Sequence, residues 1–100
     1  MKIEKYRKEI HQKYLPKVQY IVNVMNSCET ADQGNVCLDW AKRLITSWVA
    51  YENMLIDKKH GGWDACKLSS CLTKEFSYFV DILAVVRDRK TEELSETEEI

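Results

Sequence analysis

Between residues 30 and 59, apolar side chains recur at Cys37, Ala41, Leu44, Trp48, Tyr51 and Leu55, with successive spacings of 4, 3, 4, 3 and 4. That rhythm keeps one side of an α-helix apolar and predicts a helix from Ala31 to about Lys59. Leu38, Ile45, Val49 and Ile56 widen the stripe, and Asp39, Lys42, Arg43, Thr46, Asn53 and Asp57 mark the face left for water. Thr30-Ala31-Asp32-Gln33 reads as a capping box at its start. Gly34 weakens the first turns by roughly 1 kcal/mol relative to alanine. Lys58, Lys59 and His60 suit the negative end of the helix dipole, and Gly61-Gly62 then stops the helix. A helix apolar over so much of its circumference calls for more than one covering neighbour.

Two further segments share the helical period, and almost no β-type alternation interrupts them. Residues 2–27 place Ile3, Tyr6, Ile10 and Tyr14 on one face, continued by Val18, Ile21, Val22 and Met25. Pro16 predicts either a kink near Tyr14 and Leu15 or a split into two short helices, and the surviving apolar register favours the kink. Residues 63–90 carry Ala65, Leu68, Leu72, Phe76, Phe79, Leu83 and Val86 at spacings of 3, 4, 4, 3, 4 and 3. Arg87, Arg89 and Lys90 suit the end of that helix. Residues 91–100, with five glutamates and little apolar content, read as a flexible acidic tail. The expected fold is all-α: three long helices in an up-down-up bundle over residues 1–90, with an αα-hairpin turn at Gly61-Gly62.

Composition changes this picture little. The chain of 100 residues is the length of one domain, and 45% hydrophobic against 31% charged residues is globular rather than disordered. The opening Met-Lys-Ile-Glu-Lys-Tyr-Arg-Lys-Glu lacks an apolar core of signal-peptide length, and no run is long enough for a membrane span. The expectation is a soluble, cytoplasmic chain in which thiols stay reduced.

Three groups of side chains are candidates for function. The four cysteines, Cys28, Cys37, Cys66 and Cys71, have gaps unlike the tight pairs of zinc sites. The two cysteine pairs would also lie at opposite ends of a hairpin about 42 Å long. Reduced, packed cysteines are the preferred reading, with a local disulfide or a metal or redox role as the alternatives, and neither a metal nor a cofactor is expected. Lys2, Lys5, Arg7, Lys8 and Lys13 surround an apolar strip on the first helix and are a candidate anion-binding face for nucleic acid or an anionic surface. The bland alternative is a solvated face with Glu4–Lys8 and Glu9–Lys13 pairs.

Aromatic residues are the third group. Trp40, Trp63, Tyr6 and Tyr14 are the candidate partner-binding residues, because tryptophan and tyrosine anchor protein interfaces most often. His60 beside the glycines reads as a helix-end residue, and Ser69-Ser70 has no nucleophile motif around it. No glycine-rich phosphate loop is present, so no enzyme activity is expected. The favoured function is a non-enzymatic protein–protein interaction module, an adaptor, regulator or inhibitor, that also forms a homodimer or higher oligomer. Nucleic acid is the less favoured partner.

Overall fold

The computed structural model describes residues 3–98, with side chains for residues 3–96. Among these residues there are three α-helices and no strand: α1 (Ile3–Asn26), α2 (Ala31–Lys59) and α3 (Gly62–Glu98). Short connections make successive helices antiparallel, and the result is an all-α three-helix bundle measuring 58 × 20 × 18 Å.

Pro16 lies inside α1, which is one element rather than two. Ile10, Tyr14, Val18, Ile21 and Met25 are buried at spacings of 4, 4, 3 and 4, so the core register crosses the proline unchanged. The ring is exposed, which leaves the carbonyl that loses its helical donor on the solvent side.

The start of α2 is capped as the sequence predicts, with one shift. The Gln33 N–H donates to Thr30 Oγ1 (3.1 Å), while Gln33 Oε1 accepts from the Glu29 N–H (2.7 Å) rather than from Thr30. At the other end the His60 N–H donates to the Ile56 carbonyl (2.8 Å). The hairpin then turns through His60 and Gly61 into Gly62, whose φ of +59° is the left-handed conformation that favours glycine.

The expected acidic tail is corrected by the structure: α3 does not end near Lys90 but runs to Glu98. No glycine or proline follows Gly62, and Glu, Leu, Lys and Arg are good helix formers, so the residue types read as a tail also propagate a helix. Thr91 Oγ1 donates back to the Arg87 carbonyl (3.0 Å), and Lys90, Thr91 and Leu94 are half-buried. Residues 99 and 100 lie outside the described residues.

α3 is the centre of the bundle. It packs extensively against both α1 and α2, which touch each other far less. Its Leu68, Leu72, Phe76, Phe79 and Leu83 are fully buried, and Phe76 meets both Tyr14 and Phe79 edge-on, at 4.9 and 5.7 Å between ring centres. Polar pins fix the helices along this seam. His11 Nδ1 lies 2.8 Å from Glu75 Oε1, Ser69 Oγ donates to Asn53 Oδ1 (2.8 Å), and Arg87 Nη1 donates to Asn35 Oδ1 (3.0 Å).

The core stripe of α2 is rotated from the expected one. Gly34, Cys37, Leu38, Ala41, Ile45, Glu52 and Ile56 are buried, whereas Leu44, Trp48 and Leu55 are half-buried and Tyr51 is exposed. The reason is that α2 faces α3 squarely and α1 covers only one flank of it.

Gly34 is buried, yet a β-carbon there would meet only Arg87 Cγ at 3.9 Å, an ordinary contact. Gly34→Ala should therefore stabilise the fold by about 0.5–1 kcal/mol and raise the melting temperature by several degrees in thermal denaturation. An unchanged or lowered melting temperature would show that the first turns of α2 need glycine for some other reason.

Candidate functional site

Because α3 draws α1 and α2 to itself, the face where α1 and α2 meet away from α3 is the least closed part of the molecule. Its middle is a belt of lysines over aromatic rings. Lys13 Nζ sits 5.3 Å from the Tyr14 ring centre and 5.2 Å from that of Tyr51. Lys17 Nζ sits 5.2 Å from Tyr14 and 5.6 Å from Trp48. The Tyr14 and Trp48 rings lie 5.2 Å apart, so the aromatic floor is continuous across the two helices and the lysine stems roof it.

Under the belt lies Glu52, a carboxylate only 4% exposed. Its Oε1 accepts from Lys13 Nζ (2.5 Å) and from Tyr14 Oη (2.6 Å), so both of these donors come from α1. Burial, and then the hydrogen bond to Glu52, pushes the Tyr14 hydroxyl far above its ordinary range. Tyr6, about one turn before Ile10 and two before Tyr14, has its hydroxyl pushed up to about 12, first by burial and then by the Glu52 charge. Its Oη is buried with no hydrogen-bond partner among the described residues. A pocket of about 200 Å³ lies here between Tyr6 and Ile10 of α1 and Glu52, Leu55 and Ile56 of α2, with Lys59 and His60 at its edge.

The other end of the face is apolar. Val24 and Cys28 oppose Val36, Cys37 and Trp40 across a shallow groove of about 490 Å³. From there a second apolar line runs along α2. Val36, Trp40, Tyr51 and Met54 fall within about 60° of its circumference and are all exposed, Val36 by 68%.

The sequence-predicted residues distribute as follows. Trp40 lies in the groove and is partly exposed, as a partner-binding residue must be. Trp63 is 81% exposed on the first turn of α3, about 30 Å from Trp40 along the bundle, so the two cannot form one patch. Tyr14 is buried in the core, its hydroxyl spent on Glu52, and Tyr6 is half-buried beside it. This corrects the expectation of a Tyr6–Tyr14 strip open to a partner: that face of α1 is the one α3 and α2 cover. Lys5 and Lys8 are exposed, Arg7 pairs with Glu4 at 2.8 Å, and Lys2 lies outside the described residues. Lys13 reaches across to Glu52 instead of forming the expected Glu9–Lys13 pair, so it is committed within the fold.

Cys66 is exposed and Cys71 half-buried, near the hairpin end; burial raises the Cys71 thiol. Among the described residues no group of three or more His, Cys, Asp or Glu could hold a metal ion, and no helix is long and apolar enough to cross a membrane. Glu52 and Lys17 were not singled out from the sequence. The signal for Glu52 is its place seven residues after Ile45 and four before Ile56, a charged residue on an otherwise apolar line.

Comparison with known proteins returns no matching family model, no similar curated protein and no similar solved structure, so function is read from the geometry of this face.

The ionisation of the buried tyrosines fixes a pH dependence. Above about pH 10 an unfolded chain releases tyrosine protons that folded Tyr6 and Tyr14 retain, so stability is full below pH 10 and falls as pH rises through the folded-state values. Tyr14→Phe should flatten that alkaline fall and, at neutral pH, cost roughly 1.5–3 kcal/mol through the lost hydrogen bond to a buried carboxylate. Urea unfolding at neutral and alkaline pH measures both effects. Phenolate absorbance in which all five tyrosines ionise together near their ordinary value would contradict the buried placement.

Proposed function

We propose that this protein is a small non-enzymatic protein–protein interaction module that self-associates through the α1–α2 face. The observation that carries the reading is the set of apolar side chains on α2, Val36, Trp40, Tyr51 and Met54, that the described helices leave partly open to solvent. Among the described residues, the three helices centred on α3 leave that side open. The line from Val36 to Met54 runs about 27 Å along α2, long enough to meet a helix of a second copy. Trp40 is the anchor, since a large ring in an apolar groove contributes more than any other kind of contact at an interface. The lysine–aromatic belt across the middle of the face supplies the charge that sets orientation. The working site of the molecule is cytoplasmic on this reading, and its action on a further partner is occupancy of a surface rather than chemistry.

Light scattering across a concentration series tests this. The full chain should show twice its 11.8 kDa mass at micromolar concentration, and Trp40→Glu should return it to 11.8 kDa with helical content unchanged. Trp63→Ala, at the far end of the bundle, should leave the doubled mass intact. A full chain that stays at 11.8 kDa at high concentration would overturn self-association. A mass that doubles only at low salt would instead point to the charged residues of α1.

A further inference from the structure

We propose that Cys28 and Cys37 form a dithiol–disulfide couple that latches the corner between α1 and α2. The other two cysteines do not share this arrangement: Cys66 and Cys71 are five residues apart on α3, pointing about 140° away from each other round the helix. Cys28 lies in the short connection after α1, Cys37 in the second turn of α2, and both line the floor of the same apolar groove. Cys28 is near enough to Cys37 to help raise its thiol, after burial. The Cys28 thiol in turn donates to the Val24 carbonyl (3.6 Å). Cys37 is buried and Cys28 half-exposed, so a small reagent reaches Cys28 first, through the groove.

The chemistry is ordinary exchange with a low-molecular-weight disulfide, R–S–S–R, which is the oxidant. The Cys28 thiolate attacks one sulfur of R–S–S–R, forming the mixed disulfide Cys28–S–S–R and expelling RS⁻. Cys37, once deprotonated, attacks the Cys28 sulfur and expels the second RS⁻. The two protons released by the cysteines are taken up by the two thiolates. The net change is two protein thiols oxidised to one disulfide and one R–S–S–R reduced to two R–SH. Burial, and then the neighbouring Cys28, raise the Cys37 thiol, so the second step speeds up as pH rises into the mildly alkaline range.

Two local features make the corner suited to such a latch. Cys28 sits outside the helices, where its backbone can adjust to the sulfur–sulfur distance without breaking a ladder of helical hydrogen bonds. The ring that closes holds the Thr30 cap and Gly34, the weakest stretch of α2, and constraining it in the unfolded chain should raise the melting temperature by about 10 °C. The couple needs only the two thiols and the connection between them. Because Trp40 lines the same groove, a seated second copy would shield Cys28, and Trp40→Glu should then oxidise faster than the parent.

The test equilibrates the full chain with glutathione disulfide at mildly alkaline pH and reads intact mass. In the Cys66→Ser/Cys71→Ser background the chain should lose about 2 Da with no retained glutathione and no thiol left open to alkylation. In the parent, any retained glutathione should map to Cys66 or Cys71. Peptide mapping should join Cys28 to Cys37, and dithiothreitol should reverse both the mass change and the gain in melting temperature. Cys37→Ser should instead trap a stable glutathione adduct on Cys28. A parent chain that keeps all four thiols, that retains the adduct on Cys28, or whose bond maps to any other pair overturns the proposal.

Discussion

The apolar line of α3 formed by Leu68, Leu72, Phe76, Phe79 and Leu83 is the surface on which the other two helices depend. Each of these side chains contributes about 1.5–3 kcal/mol by leaving water. The line is wide enough to serve two neighbours at once: Phe76 receives Tyr14 from α1 and approaches the Trp48 ring of α2 at 6.3 Å, while Phe79 stacks on His11 of α1 at 5.7 Å. A helix buried from two sides takes the central place, and its partners then compete for its surface rather than for each other. That competition opens the seam between α1 and α2, and with it the groove, the pocket and the exposed flank.

With so little direct contact between α1 and α2, a polar link decides how they sit. Glu52 occupies a core position, and a carboxylate taken out of water is costly unless it is matched by donors. Lys13 and Tyr14 supply them. Sliding α1 by one helical turn would strand the carboxylate and the Tyr14 hydroxyl together, so the triad holds one register out of several that the apolar stripes alone would accept. Lys17 reinforces the register without a hydrogen bond, by lying over the Tyr14 and Trp48 rings.

Helix number, helix type and the hairpin turn were legible because they rest on local signals: a period of 3.6, a Thr–Gln cap and two adjacent glycines. The stripes of α1 and α3 were legible for the same reason. On α2 the period alone was ambiguous, because apolar residues cover two adjacent faces and periodicity cannot say which one α3 takes. The choice follows from tertiary packing, and it carries Glu52 inward and Tyr51 outward. Tyr14 was misplaced by chemistry rather than pattern: a tyrosine with lysines around it looks like a surface anchor until its hydroxyl finds a buried carboxylate. Residues 91–98 were misread because acidic composition describes solubility and says little about helix propagation.

The rotation of α2 also explains why this face resembles an interface more than a flawed core. Had Leu44, Trp48, Tyr51 and Leu55 pointed at α3, the line Val36, Trp40 and Met54 would have turned toward α1 and been covered. Glu52 prevents this, since it must stay within reach of Lys13 and Tyr14. The same buried charge that holds α1 in register therefore keeps an apolar line of α2 facing water. An uncovered line of that length is unfavourable for a solitary chain and favourable for one that buries it against a second surface. The lysine belt crosses the middle of the face above Glu52, with the apolar groove at Trp40 to one side of it. A partner seated there gains apolar burial beside Trp40 and meets the Lys13 and Lys17 ammonium groups further along, an asymmetry that selects one orientation of docking over its reverse.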